Sequence, residues 1–455
     1  MDAKVTPALE PGLDFLALAQ TICARPLSDM APAALGHARR AWLDTLACMA
    51  GGAGEAATRA AARAADTAGA EHRALVLGAA SHALDYDDVC MIATCHPSAP
   101  VVSALLAGFD RVNGEVTLAD LLAAHLAGTE VMLRLGAWLG FGHYALGFHA
   151  TGTLGAVGAA AAQARLLRLP AAQLRAALSI AASSASGLRA NFGTDTKPLH
   201  VGFAASAAIR AVALAQAGAS ASDDAIAGFA HAFCGGARLD SPRFDAQTPW
   251  AVQAPGFEIK RYPSCYLTHR MIAGIQRLRQ RRPPQTGSAP VAIDVLFPPG
   301  AAAPLKYPQP RTGLQAKFSI PYCAAIAWVD ERIGLASFSD AAVSRAELRP
   351  QMRLVRSAER TGPHEPLEAA PVRVTITGAG WSDTVLADWA PGSLQDPVTD
   401  DELLAKWGDC EAHGQAMLPA DAAAIWLTAA LDQPMKAPLR HLRAALLERA
   451  GAQRW

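Results

Sequence analysis

From about Gly12 to Ala232 apolar residues recur every three or four positions, with breaks at Pro and Gly, so this half of the chain must form helices that bury one another's faces. Pro32 to Gly52 is representative. Pro32 suits a first turn, Leu35, Ala38, Trp42, Leu46 and Met49 trace one stripe, and Gly51-Gly52 ends the run. Thr151 to Leu167 differs, because Gly152, Gly155, Gly158 and the alanines after them have almost no side chain. Small residues at this spacing let helices approach closely, which predicts a central helix of a bundle. A phosphate loop is not indicated, since neither G-x-G-x-x-G nor G-x-x-x-x-G-K-[S/T] is matched.

After Pro263 the texture changes. Val291, Ile293, Val295 and Phe297 alternate, as do Val372, Val374 and Ile376, which predicts half-buried strands. Helical patterns lie near His269 to Arg281 and Phe318 to Ile333, between Pro/Gly-rich loops. Two short strands need further strands and helix cover, so a small α+β domain is expected. Pro419 to Ala450 returns to a helical pattern, as if the chain re-enters its first domain. The reading is therefore mainly α, with residues 1–265 and 410–455 in a large helical domain and 266–409 in a small α+β domain.

The length of 455 residues allows two such units. Lys plus Arg equals Asp plus Glu at 40 each, and no basic run is interleaved with aromatics, so nucleic acid is not an expected partner. No stretch is apolar enough to suggest a bilayer span, and the first residues lack a signal-type apolar core, so a cytoplasmic location is expected. The eight cysteines are scattered without a C-x-x-C pair and are read as reduced thiols. Cys90, Cys95 and His96 form a tempting cluster. A second ligand pair is missing, and so is a thiolate set for an iron–sulfur cluster; the expectation is no metal and no cofactor.

Titratable groups concentrate between Ser81 and Pro100, where three acids are flanked by two histidines. At helical spacing His82, Asp85 and, one residue off, Asp88 share a face, and His96 stands just before a Pro suited to the next helix start. Singly, these acids and histidines read as helix-end partners. Together they point to a cleft.

The segment His82-Ala-Leu-Asp85-Tyr-Asp87-Asp88 with His96-Pro-Ser resembles the MmgE/PrpD family, as do Gly147-Phe-His149-Ala-Thr-Gly152 and Gly193-Thr-Asp-Thr-Lys197-Pro-Leu-His200-Val-Gly202. Two further blocks follow in order, Lys260-Arg-Tyr-Pro-Ser-Cys-Tyr-Leu-Thr-His269 and Lys317-Phe-Ser-Ile-Pro-Tyr322. The family includes 2-methylcitrate dehydratase, cis-aconitate decarboxylase and iminodisuccinate epimerase. Its layout implies an all-helical domain built from both chain ends and a smaller inserted lid-like domain, in a homodimer. Two positions depart from its pattern. Val89 stands where the family often has Thr, and Ala150 where it often has Pro.

Enzymes that eliminate water, lose carbon dioxide or invert a centre beside a carboxylate need a base, an acid and positive charge for the carboxylates. The resemblance implies a catalytic set of Asp85, His96, His149, Lys197 and His269, with Tyr307 a candidate from the small domain, and His82, Asp88 and His200 supporting them or touching substrate. Each also has a plain structural reading: His149 a helix cap, Lys197 a solvated helix-start charge, His269 a core histidine. Asp87 and Asp88 are expected to bind backbone amides or pair with Arg or Lys. The implied activity is that of a cofactor-independent hydro-lyase of the 2-methylcitrate dehydratase type on a small di- or tricarboxylate. The alternatives are an epimerase, a carboxy-lyase and a catalytically silent carboxylate-binding dimer.

Overall fold

The computed structural model describes residues 14–64, 69–112, 116–237, 248–282 and 289–414. Helices α1 Phe15–Ala24, α2 Pro32–Gly52, α3 Ala56–Arg63, α4 Ala70–Ala83, α5 Ser98–Gly108, α6 Leu118–Ala145, α7 Ala150–Leu166, α8 Ala171–Ser183, α9 Thr196–Gln216 and α10 Ala225–Phe233 come first. Then follow α11 His269–Arg281, β1 Pro290–Phe297, α12 Gly313–Ala316, α13 Ile320–Val329, α14 Asp340–Val343, α15 Leu348–Arg353, β2 Val355–Glu359, β3 Val372–Gly378, β4 Trp381–Ala387 and α16 Asp400–Gly414. The chain is mainly α.

α7 runs through the middle of the bundle and is buried along almost its whole length. Its glycines explain how. A Cβ on Gly158 would sit 2.6 Å from Met132 Cβ on α6, and one on Gly155 would sit 2.8 Å from Pro100 Cγ on α5, so only glycine permits these crossings. α9 packs against α4 and α7, and Gly78 and Gly202 meet at a comparably close crossing. By length and hydropathy α9 could cross a membrane, yet 67% of its apolar window is buried inside the bundle, as for a core helix.

The sheet has the order β2-β1-β3-β4, with β1 parallel to β2 and the other neighbours antiparallel. Ile293, Val295, Phe297, Val372, Val374 and Ile376 are buried beneath α11 and α13, following the alternation in the sequence. Val291 does not follow it. The register shifts between Pro290 and Ala292, and this irregularity turns Val291 outward to 57% exposure.

Leu403, Trp407 and Cys410 of α16 join the apolar cluster of the helical bundle, against α2. Gly51 makes that possible, since a Cβ there would stand 3.0 Å from the Cys410 carbonyl. The helical pattern from Pro419 to Ala450 lies outside the described residues. A second cluster beneath the sheet takes in Val89, Met91 and Phe192 from the N-terminal half, together with Cys265, Tyr266, Leu267 and Phe318. Around this shared apolar contact the titratable residues gather.

Candidate active site

Helix α4 ends at Ala83, so His82, Asp85 and Asp88 do not share a helical face as their spacing predicts. The chain instead turns sharply through Asp85, whose φ of 52° is left-handed, a conformation that short polar side chains tolerate better than most. Three buried ammonium groups fix this turn, each from a different part of the chain. Lys317 donates to the Leu84 carbonyl. Lys260 donates to the Asp85 carbonyl at 2.9 Å and to Asp85 Oδ1 at 2.5 Å. Lys406, from α16, donates to the Tyr86 carbonyl at 2.6 Å and the Lys260 carbonyl at 3.1 Å, and pairs with Asp44 of α2 at 2.5 Å. Three consecutive carbonyls thus hold three lysines, and the turn has little freedom to move.

Below the turn lies a recess walled by Val89, Met91, Phe192, Leu267 and Phe318, with Asp85, His96, His149 and Lys197 reaching into it. Lys197 opens α9 but is only 4% exposed, so it is not a solvated helix-start charge. Its Nζ lies 2.8 Å from His82 Nε2 and 3.3 Å from Asp85 Oδ1. Burial lowers the Lys197 pKa, and Asp85 partly restores it. Burial alone would raise the Asp85 carboxyl, but Lys197 and Lys260 outweigh it and hold the group well below the usual carboxylate range. Asp85 Oδ2 carries no hydrogen bond among the described residues.

His149 occupies the N-cap position of α7, yet its side chain makes no capping hydrogen bond. Its Nδ1 meets His200 Nδ1 at 3.0 Å, and its Nε2 is buried without a partner among the described residues. One of the two Nδ1 atoms must donate to the other, so the proton on His149 Nε2 is linked to the state of His200. Burial, then the Lys197 charge, push His149 well below the ordinary imidazole range, and burial brings His200 down to about 4. Both rings are neutral near pH 7.

The remaining candidates sit further out. His82 is fully buried behind Lys197, and burial takes its pKa down to about 3. Asp88 accepts from the Ser98 amide at 3.2 Å and the Ser98 hydroxyl at 2.5 Å, steadying the start of α5. His269 does not line the recess; it is 0% exposed, against Tyr262 and Tyr266 with ring centroids at 5.1 and 4.9 Å. Tyr307 is also outside the lining. Its hydroxyl donates to the Phe192 carbonyl at 2.7 Å and its ring covers Gly193.

Asp87 departs from expectation. It pairs with histidines and not with amides, Arg or Lys: His82 Nδ1 lies 2.8 Å, and His96 Nδ1 3.2 Å, from its Oδ2. Among the described residues these three, and not the cysteines, form the cluster with cation-ligand geometry, their ligand atoms all within 4.8 Å. The nearby Lys197 ammonium opposes a dication there. Sequence reasoning also passed over Lys260, Lys317, Lys406 and Asp44. The first two stand in the resembling blocks, which was a usable signal; nothing in the sequence around Lys406 or Asp44 marks them as buried.

Residues 16–241 match the MmgE/PrpD N-terminal domain and residues 262–430 the MmgE/PrpD C-terminal domain. The chain is 29% identical over 369 residues to the cis-aconitate decarboxylase of Homo sapiens, covering 77% of this chain and 74% of that protein. The Mus musculus protein of the same name is 28% identical over 365 residues, 77% of this chain and 73% of that one. The Aspergillus terreus protein, also a cis-aconitate decarboxylase, is 25% identical over 352 residues, 71% of each chain. The chain belongs to the MmgE/PrpD family.

Proposed function

We propose that this MmgE/PrpD protein is a cofactor-independent lyase that transfers a proton at a carbon beside a carboxylate in a small di- or tricarboxylate. The observation that carries this reading is the pairing, on one apolar wall, of the Lys197 ammonium with the unpartnered Nε2 of His149. A substrate carboxylate is held at Lys197, where exclusion of water strengthens the attraction. His149, backed by His200, and His96 move the proton. Asp85 keeps Lys197 in place.

Loss of carbon dioxide is the reaction to assay first, because relatives aligned over most of the chain are cis-aconitate decarboxylases. It leaves an electron pair on the carbon that bore the lost group, conjugated with a retained carboxylate, and a proton completes the product. Elimination of water from a hydroxy acid is the second reading. Thr94 and Tyr144, both hydroxyl-bearing and both lining the recess, support it. Val89 puts methyl groups where many members of the family have Thr, so the preferred acid need not be theirs. The division into residues 1–265 with 410–455 and 266–409, with closure of the smaller unit and assembly as a homodimer, belongs to the same proposal.

The test is proton NMR of cis-aconitate, 2-methylcitrate and amino diacids incubated with the protein in deuterated buffer. Carbon dioxide loss with deuterium in the product supports the first reading, and a new olefin from the hydroxy acid the second. Exchange without net change indicates epimerisation, and binding without exchange defeats the enzymatic reading.

A further inference from the structure

Asp87 is fully buried, and both of its histidine partners approach through the same ring nitrogen. His82 Nδ1 lies 3.0 Å from Oδ1 and 2.8 Å from Oδ2, and His96 Nδ1 lies 3.2 Å from Oδ2. A carboxylate shut away from water needs N–H donors, and among the described residues no lysine or arginine supplies one here. His82 Nδ1 makes those hydrogen bonds and therefore carries the proton; His96 Nδ1 faces the same carboxylate at 3.2 Å as an ion-pair contact without a formed hydrogen bond, and the negative charge favours an N–H turned toward it there too. A neutral imidazole has only one, so His82 Nε2 is a bare acceptor, and His96 Nε2 is one as well when its Nδ1 turns an N–H to Asp87. The far side of His82 gives an independent check. Its Nε2 faces the Lys197 ammonium at 2.8 Å, and an ammonium can only donate, so that nitrogen must be bare. Two separate contacts assign the same tautomer.

We propose that Asp87 is the positioning residue of this site, one carboxylate that fixes the tautomers of two histidines with different tasks. Through His82 it supplies the acceptor that seats Lys197. Through His96 it presents a bare Nε2 to the recess: Nδ1 is buried toward Asp87, and His96 is one of the residues lining the recess. This deepens the lyase reading and rests on it, by making His96 the group that accepts a proton in the recess. The imidazolium so formed would lie 3.2 Å from the Asp87 carboxylate, which is placed to stabilise it.

Nitrogen-15 NMR of the full chain labelled at histidine tests the assignment without any substrate. Signals are identified with His82→Gln and His96→Gln. The expected wild-type spectrum has protonated Nδ1 and bare Nε2 at both rings. In Asp87→Asn the side-chain amide donates to Nδ1, and the proton of at least His96 moves to Nε2. Protonated Nε2 in the wild-type protein, or bare Nδ1 at both rings, would overturn the proposal, and the wild-type spectrum alone suffices if the variant does not fold. An unmoved His96 signal in a folded Asp87→Asn protein would overturn it as well. Kinetics supplies the second arm on whichever acid turns over: Asp87→Asn should lower kcat about 100-fold or more, and adding His96→Gln should cost little beyond that, because both substitutions remove one unit. Independent, multiplying losses would refute action through His96. Tautomers as assigned in a protein that turns over no acid would sink the lyase reading and leave the assignment standing.

Discussion

Lys406→Met strikes the clamp at its most remote point, some distance along the chain from every residue of the recess. The ammonium it removes is buried, pairs with Asp44 at 2.5 Å, and binds the carbonyls of Tyr86 and Lys260. Asp44 is 0% exposed, so the variant strands a carboxylate without its counter-charge, which costs about 3–5 kcal/mol when a buried pair is broken on one side. The two carbonyls add to that, although not independently. Burial already raises the Asp44 pKa, and without Lys406 it rises further. Asp44 can then escape the penalty by taking a proton, so the loss should be largest above the ordinary carboxylate range and shrink as pH falls. Urea unfolding followed by far-ultraviolet circular dichroism at pH 8 and pH 5 measures both features. The double variant Asp44→Asn/Lys406→Met removes the stranded charge and should recover about 2 kcal/mol of the loss at pH 8. A single variant within about 1 kcal/mol of wild type, or a double variant no more stable than the single, would refute the clamp.

Three other outcomes are expected. Lys197→Met should lower kcat/KM roughly 100-fold, since a charge pair at about 4 Å is worth at most ~4 kcal/mol at an effective dielectric of 20 and part of that is offset by desolvation; unchanged steady-state kinetics would contradict a carboxylate anchor. Glu258, with one oxygen unpartnered, is pushed by burial to about 8, so its favourable contribution is full below its ordinary value of 4.5 and is lost as pH rises to about 8. Glu258→Gln should therefore melt close to wild type at pH 4.5 and above it at pH 8, and a constant difference would count against that. Tyr307→Phe loses only the hydrogen bond to the Phe192 carbonyl and should keep kcat within about tenfold of wild type; a fall of about 100-fold would return Tyr307 to the chemistry.

Most of the architecture was legible because it rests on periodicity. The stripe from Leu35 to Met49, the small-residue run of α7 and the alternation in β3 each have one stable solution, and the chain adopts it. Val291 was misread because a one-residue irregularity reverses a strand's faces without changing its composition. The site was legible in part. Its titratable cluster stood out, but helical spacing carried His82 and Asp85 onto one face when the helix stops between them, held open by lysines far away in the chain. Nothing local distinguishes Lys406 from a surface lysine. Asp87 looked like its neighbour Asp88, and only the fold brings two imidazoles to one of them and a helix start to the other.

His149, an unpartnered imidazole near a buried ammonium, is with His96 one of the two groups proposed to move the proton. His149→Gln tests this role most directly, by comparing turnover of the active acid, binding of that acid and melting temperature with those of the wild-type protein. The expected result is turnover lowered about 100-fold or more, with binding and melting nearly unchanged. Wild-type turnover in a stably folded His149→Gln protein would contradict the account.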